Sequence, residues 1–278
     1  MSPHAKESQT SERGERQEVV RPREADEAAQ LRALDAGSID VAAATGTAAV
    51  LSTFARGAPV RPVASSITGA QNPFWYVPAS SPLKSLKEAA GKTIAFSAVG
   101  SSSHLATLAH VRQSGTNLRA VAAGASEQTY TQVMSGQIDI GWAAAPFGVK
   151  QIEEGKIRIV ARYSDIPEYR DLTARMHVAN LDFILKRPDV MQRFLLAYSE
   201  VLDWMFSGDE PLEAFARFYD LPVGETRWTR DNLYSRQGLD LKRLGGFDVA
   251  MKEALELKFI SRPFTQAEID EVLKYYIR

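Results

Sequence analysis

A short sequence unit occurs twice in this chain and restricts the folds that are open to it. Leu34 to Ala42 reads L-D-A-G-S-I-D-V-A, and Met134 to Gly141 reads M-S-G-Q-I-D-I-G. In each copy a helical pattern ends at a glycine, one polar residue follows, and Ile-Asp begins an apolar strand. A single copy is common in α/β proteins, whereas two copies predict two similar α/β lobes.

Short strands and helices alternate along the chain as far as Ala161. The strand candidates are 19–20, 39–42, 60–67, 93–96, 118–123, 138–142 and 157–161, and the helical patterns between them are 25–36, 47–56, 105–114, 126–135 and 146–154. This alternation predicts an α/β fold of mostly parallel sheets with helices on both faces. Beyond Arg175 one further strand, 176–179, is followed only by helical patterns, at 188–206, 211–219, 224–234, 246–257 and 265–276. This helical C-terminal tail is expected to cover a sheet.

Composition removes several classes of function. Lys and Arg number 33 against 34 Asp and Glu, so no net field draws the chain to nucleic acid or to an acidic membrane. Cysteine is absent, which excludes disulfides, thiolate metal sites and cysteine nucleophiles. Residues 1–17 are polar and are expected to be a disordered tail without the apolar core of a signal peptide, with order beginning near Glu18. The four histidines show no metal-ligand spacing, so no metal and no cofactor are expected.

The stretch from Lys92 to His104, K-T-I-A-F-S-A-V-G-S-S-S-H, is a candidate anion site. A buried strand over 93–96 leads into a small-residue loop that opens a helix, and a helix start offers free N–H groups and partial positive charge. The candidate contacts of this serine loop are Gly100, Ser101, Ser102, Ser103 and His104. Alternatively, one serine merely caps the helix and the histidine lies in solvent. Only one serine can be the cap, so alanine at both Ser102 and Ser103 is expected to weaken binding and leave the fold intact.

Other candidates lie at the ends of the repeated strands. Trp142 follows the second Ile-Asp strand and forms either an apolar wall for a ligand or part of the lobe core. Thr45 and Thr47 occupy the matching place after the first copy. Asp40 and Asp139 lie at strand starts, away from the carboxyl ends where open sheets bind ligands, and are interpreted as structural.

Several longer motifs, taken in order, resemble the substrate-binding proteins of ABC importers in the nitrate, sulfonate, taurine and thiamine-pyrimidine-precursor group. They are the two Gly-x-Ile-Asp units, S-P-L-K-S-L-K-E-A-A-G-K-T-I-A-F-S before the serines, I-D-I-G-W-A-A-A-P-F, and A-N-L-D-F-I-L-K-R-P-D-V-M-Q-R-F-L-L-A-Y before the helical tail. The similarity extends from about Glu18 to the end of the chain.

The resemblance implies a two-lobed periplasmic-binding-protein fold of the second type. Lobe 1 would comprise 18–74 plus 173–278 with the C-terminal helices, and lobe 2 would comprise 79–172. Two crossings, near Trp75 and near 173–176, would form the hinge, with Asn72 and Trp75 able to reach the cleft. The implied function is capture of a small anionic organic solute, similar to a sulfonate, taurine or nitrate, by a monomer that delivers it to an ABC permease in the membrane.

The same resemblance leaves alternatives open. Family members usually begin with a signal peptide and a strand-helix unit that this chain lacks, so a truncated, non-functional fragment or a misassigned start is one alternative. The location would be periplasmic by resemblance, and cytoplasmic if Met1 is the true start. A thiamine-pyrimidine-precursor binding or synthesising relative is another alternative, although the enzymes on this fold depend on cysteine. We therefore expect a binding protein, not an enzyme.

Overall fold

The computed structural model describes residues 27–277. The disordered tail predicted for residues 1–17, the start of order near Glu18 and the strand predicted at 19–20 lie outside the described residues. Within residues 27–277, no helix is long and apolar enough to span a membrane.

The described part of the chain consists of short strands and helices in alternation, followed by helices. The strands are β1 (Val41–Gly46), β2 (Val60–Thr68), β3 (Pro73–Pro78), β4 (Thr93–Phe96), β5 (Arg119–Ala122), β6 (Gly141–Ala144), β7 (Ile157–Arg162) and β8 (Thr173–Asn180). The helices are α1 (Glu27–Asp35), α2 (Thr47–Ala55), α3 (Ser102–Ser114), α4 (Ser126–Met134), α5 (Val149–Glu153), α6 (Leu181–Lys186), α7 (Pro188–Met205), α8 (Glu210–Tyr219), α9 (Val223–Leu233), α10 (Phe247–Glu256) and α11 (Gln266–Val272). The predicted α/β class and helical C-terminal region are confirmed.

The first sheet has the order β1-β8-β2, and β8 is antiparallel to both neighbours. β1 and β2 therefore run in the same direction. Helices α1 and α2 cover one face, where the fully buried side chains of Leu34, Val50 and Val60 form an apolar cluster. These helices exist because their apolar residues recur at helical spacing and a left-handed glycine, Gly37 or Gly57, follows each.

The second sheet joins β6-β3-β7 to the parallel pair β4-β5. A parallel bridge between Ile94 and Ile140 makes the connection, with the Ala95 N–H donating to the Ile140 carbonyl at 2.8 Å. Its core contains the fully buried Trp75, Ile94 and Ile140. Each Ile-Asp unit lies just before a strand, β1 in one copy and β6 in the other. Asp139 accepts hydrogen bonds from the Thr93 backbone N–H and hydroxyl, both at 2.9 Å, which supports the interpretation of this residue as structural.

One strand in each sheet is reversed, which the simple strand-helix alternation does not predict. β3 is antiparallel to β6 and β7, and β8 is antiparallel to β1 and β2, while the remaining strands of each sheet share one direction. The reason is the path of the chain: only residues 69–72 separate β2 from β3, so no crossover helix fits between them. The chain passes directly into the second sheet at β3, and it returns to the first sheet at β8.

This path fixes where the carboxyl ends of the strands lie. Pro73, which begins β3, is opposite Ala144 at the end of β6, and Gly46 at the end of β1 is opposite Arg175 near the start of β8. The carboxyl ends of the parallel strands therefore lie where the chain crosses between sheets, which is where open α/β sheets bind ligands. The lobe boundaries at 18–74 plus 173–278 and at 79–172 stay a prediction.

Candidate functional site

The serine loop lies at the carboxyl end of β4 and opens α3. Helix α3 begins at Ser102, and Ser101 is its N-cap, with its hydroxyl accepting a hydrogen bond from the His104 N–H at 3.1 Å. The alternative that one serine caps the helix therefore applies to Ser101. The loop forms here because a serine before an apolar helical pattern satisfies one of the N–H groups that the first turn leaves free.

Three serine hydroxyls of the loop bond to one another. The Oγ atoms of Ser97, Ser101 and Ser103 lie 2.8–2.9 Å apart in a triangle. Ser103 Oγ also accepts from the Ser97 N–H at 3.0 Å, and its side chain is buried. Each hydroxyl has a single proton, so hydrogen bonds within this ring use the hydroxyl protons of Ser101 and Ser103. The sequence predicted that these protons would be donated to a ligand. Those two serines organise the loop.

Ser102 is the serine that faces the other sheet. Its Oγ accepts hydrogen bonds from the guanidinium of Arg175, from Nε at 3.3 Å and from an Nη at 3.2 Å. Arg175 belongs to β8 of the first sheet, whereas Ser102 begins a helix that packs on β4 and β5 of the second sheet. A cation from one sheet thus lies on the helix start of the other. A cation, a hydroxyl and a helix start lie together here, and each of these groups is of a kind that can stabilise an anion.

His104 adjoins this place and is neutral near pH 7. Its ring stacks on Phe96 with centroids 4.3 Å apart, and its Nδ1 accepts from the Gly100 N–H at 3.1 Å. Burial lowers the pKa of His104. With Nδ1 acting as acceptor, Nε2 carries the proton and is available as a donor. Gly100 has φ of +91°, and an added Cβ would lie 3.2 Å from the Phe259 ring, so this glycine serves loop conformation and close packing.

The two threonines at the end of β1 differ in their bonding. Thr45 is fully buried, and its Oγ1 has no hydrogen-bond partner among the described residues. Thr47 donates its hydroxyl proton to the Thr173 carbonyl at 2.6 Å and so ties α2 to the start of β8. Thr45 therefore retains an unused polar atom next to the crossing, whereas the donor of Thr47 is used within the fold.

Asn72 lies between the sheets in contact with a tyrosine that the sequence reasoning missed. Burial raises the pKa of Tyr234, against the opposing effects of the Arg175 charge and of a hydrogen bond with Asn72. The three polar groups are therefore neighbours at the crossing. Asn72 is buried, and Tyr234 packs against the apolar cluster of Ala145, Val149 and Leu233.

The two tryptophans lie in the core of the second sheet. Trp75 is fully buried, and its indole N–H lies 3.0 Å from both the Ala95 carbonyl and the Thr107 hydroxyl. Trp142 is 3% exposed and donates its indole N–H to the Gly124 carbonyl at 3.1 Å. This position agrees with the alternative in which Trp142 belongs to the core of the lobe. Both indole N–H groups are therefore used within the fold and are not free to donate to a ligand.

The structure thus brings Ser102 against Arg175, and Asn72 and Tyr234 lie within reach of the same arginine. His104 lies two residues beyond Ser102 in the first turn of α3. Arg175 could have been found from the sequence, because it is a charged residue within the apolar strand Thr173–Asn180. Tyr234 carries no comparable signal, since a tyrosine near the end of an amphipathic helix is ordinary. Within residues 27–277 no group of histidines and carboxylates could hold a metal ion.

Two open grooves occur away from this site. One of about 480 Å³ runs along α7 and is lined mainly by apolar side chains such as Met191 and Leu195. The other, of about 290 Å³, lies between Arg61 and Phe264. Neither is lined by the serine loop or by Arg175.

Comparison with solved structures supports the fold. The periplasmic aliphatic sulphonate binding protein SsuA from Escherichia coli superposes with a TM-score of 0.73 at 20% identity, over 87% of this chain and 78% of that chain. The alkanesulfonate-binding protein SsuA from Xanthomonas axonopodis pv. citri, bound to MOPS, superposes with a TM-score of 0.68 at 18% identity, over 90% of this chain and 80% of that chain. A ligand-binding component of an ABC-type import system from Staphylococcus aureus, with zinc bound, superposes with a TM-score of 0.70 at 14% identity, over 86% of this chain and 80% of that chain. The predicted periplasmic-binding-protein fold is confirmed.

The family follows from the sequence itself. No curated protein matches the chain. A family model described as NMT1/THI5 like matches residues 18–214, which is most of the chain. The predicted resemblance to ABC substrate-binding proteins is confirmed at the level of family and fold. This protein belongs to the NMT1/THI5-like family.

Proposed function

We propose that this protein is the substrate-binding component of an ABC importer and captures a small anionic organic solute between two lobes. Lobe 1 comprises 18–74 and 173–278, and lobe 2 comprises 79–172. The protein acts as a monomer, carries out no catalysis, and delivers its ligand to a permease in the membrane. That role places it in the periplasm.

The observation that carries this proposal is the contact between Arg175 and Ser102. It joins the two sheets at their carboxyl ends and provides a fixed positive charge at a helix start. A hydrogen bond to a charged group contributes about 1.5–3 kcal/mol, compared with about 1 kcal/mol for a neutral pair. An anion held by the guanidinium and by the first N–H groups of α3 would therefore bind both lobes at once, and would favour their closure.

The ligand class is supported by the chemistry of the site and by the neighbours. A sulfonate has three acceptor oxygens, which suit a guanidinium, free N–H groups and the Nε2–H of His104. The two SsuA proteins are described as binding aliphatic sulphonate or alkanesulfonate. We infer a sulfonate-like or taurine-like solute here, with nitrate as the smallest anion that the same groups would hold.

A ligand screen tests the class of solute. Thermal shift and titration calorimetry would be run with ethanesulfonate, taurine, nitrate, acetate, a hydroxymethylpyrimidine, and ethanol as the uncharged counterpart of the first ligand. Binding to the native state alone stabilises it by about 2.7 kcal/mol at a ligand concentration of 100 times Kd. We expect the sulfonates to raise Tm and ethanol to have no effect. Tighter binding of the pyrimidine than of any anion would instead favour a pyrimidine-precursor binding protein.

Matched variants test the site itself. Arg175→Gln and Ser102→Ala should each weaken ethanesulfonate binding, by about 10-fold or more for the arginine because a charge-assisted contact is lost. Arg119→Gln and Ser135→Ala remove an exposed arginine and an exposed serine elsewhere in the second sheet and its helices, and should bind like the parent. Equal binding by all four variants would place the anion site elsewhere.

A further inference from the structure

A buried carboxyl group, Glu253, lies at a second contact between the two halves of the molecule. Glu253 is on α10, which packs on α2 and β8 of the first sheet. Its side chain is 7% exposed, although glutamate is almost always on the surface of a protein. It accepts a hydrogen bond from the hydroxyl of Tyr169, which lies in the segment that leads to the second crossing.

The only cation that faces Glu253 among the described residues approaches from α3. An Arg112 Nη lies 3.9 Å from Glu253 Oε1, and the other Nη lies 3.9 Å from Oε2 of Glu256. The Arg112 side chain is 55% exposed, and exposed ion pairs at such distances are weak. Arg112 belongs to the same helix as Ser102, so α3 carries the proposed anion site at its start and this ion pair near its end.

The second oxygen of Glu253 is unsatisfied. Oε2 is buried and has no hydrogen-bond partner among the described residues. A protonated carboxyl tolerates this environment far better than a carboxylate, because burying an uncompensated charge is much more costly than burying a neutral polar group. Burial raises the pKa of Glu253, with the Tyr169 hydrogen bond and the Arg112 charge opposing and the Glu256 and Glu168 charges adding to the rise.

The remaining neighbours do not supply a compensating charge. Helix α2 has no ionisable side chain, and on β8 the charge of Arg175 acts on Tyr163. Tyr163 is itself fully buried and stacks on Tyr169 with centroids 4.8 Å apart. On α3, His110 has a pKa of about 4, lowered by burial, and stays neutral above pH 5.

We propose that Glu253 is a proton-dependent latch: its protonated carboxyl holds α10 against Tyr169 and α3, and loss of the proton loosens this contact and favours the open form. This inference rests on the proposed closure of two lobes and adds a regulation of the same site. The closed form buries the carboxyl and the open form hydrates it, so the closed form binds the proton more tightly. Closure is therefore favoured as pH falls and is weakened as pH rises through the pKa of Glu253 in the closed form.

A distance measurement without ligand tests the latch. The chain has no cysteine, so Lys87→Cys and Glu200→Cys, both at exposed positions on opposite halves, give a clean pair of labelling sites for fluorescence energy transfer. In this labelled background we expect the distance to lengthen between pH 5 and pH 8. Glu253→Gln keeps an acceptor for Tyr169 and carries no charge, so it should hold the short distance at both pH values. Glu210→Gln, which changes an exposed glutamate on α8 away from this contact, should follow the parent.

A second measurement uses ethanesulfonate, whose charge does not change over this range. A difference of one pKa unit between two states corresponds to a ten-fold effect over the whole titration, and the range from pH 5 to pH 8 covers only part of it. Parent affinity should therefore fall by about three-fold or more over this range. Glu253→Gln should lose this dependence. A Glu253→Gln profile identical to that of the parent, or a parent distance that is constant with pH, overturns the latch. A pH-dependent distance without any ligand binding upholds the latch and rejects the proposed anion site instead.

Discussion

The clearest single test of the site compares alanine at two neighbouring serines, Ser103 and Ser102. Both are buried, and both lie in the first turn of α3. Ser103 Oγ accepts the Ser97 N–H and belongs to the hydroxyl triangle of the loop, whereas Ser102 Oγ contacts only Arg175 among the hydrogen-bond partners described. The same chemical change should therefore affect stability at one position and binding at the other.

The expected magnitudes follow from these contacts. Ser103→Ala leaves the Ser97 N–H without its acceptor and opens the hydroxyl ring, and a polar group left unsatisfied costs about 1–3 kcal/mol. In a protein of this size each kcal/mol corresponds to roughly 2–4 °C in Tm. Ser102→Ala removes a hydroxyl whose partner, the half-buried Arg175, can turn to water, so its cost should stay below about 1 kcal/mol.

The assay is urea unfolding followed by tryptophan fluorescence, together with calorimetric titration of ethanesulfonate. We expect Ser103→Ala to unfold at lower urea and, where it is folded, to bind like the parent. Ser102→Ala should unfold like the parent and bind more weakly. This outcome would revise the expectation that alanine at both positions leaves the fold intact.

The reasoning would be refuted if Ser103→Ala were as stable as the parent, because the hydroxyl triangle would then contribute nothing. It would equally be refuted if Ser103→Ala lost binding at full stability. Ser103→Thr, which keeps the hydroxyl, provides the rescue control and should recover most of the stability.

Three further predictions concern packing and pH. Gly141→Ala would force a Cβ into the buried Tyr76 ring and should destabilise by about 1–3 kcal/mol in urea unfolding. Gly224→Ala, in α9 with open space around it and an ordinary φ, should instead stabilise by up to about 1 kcal/mol in the same assay, and a loss there would contradict the helix-propensity argument. Burial lowers the pKa of His177 to about 4, so its contribution to stability is complete above about pH 6.5 and is lost as pH falls towards 4. His177→Phe should reduce this acid loss, by at most about 2 kcal/mol, in unfolding curves at pH 7 and pH 5.

Local sequence patterns determined much of the architecture. The Gly-x-Ile-Asp units, the alternation of strands and helices, the serine-rich start of α3 and the helical tail could all be read from the sequence, because each depends on residues within one or two turns of each other. The same patterns missed β3, which lies between Pro73 and Pro78 without alternating polarity, and they placed the start of α3 at Leu105 instead of Ser102.

The tertiary structure alone decided which candidates form a site. Ser102 and Arg175 are 73 residues apart in the chain, and only the crossing of β8 into the first sheet brings them together. Trp75 and Trp142 lie at strand positions that the sequence could assign either to a cleft or to a core, and packing of the second sheet buried both. Glu253 resembles any surface glutamate of an amphipathic helix until α10 is packed against Tyr169 and α3. Side-chain orientation across two sheets depends on contacts distant in sequence, and neither periodicity nor propensity encodes such contacts.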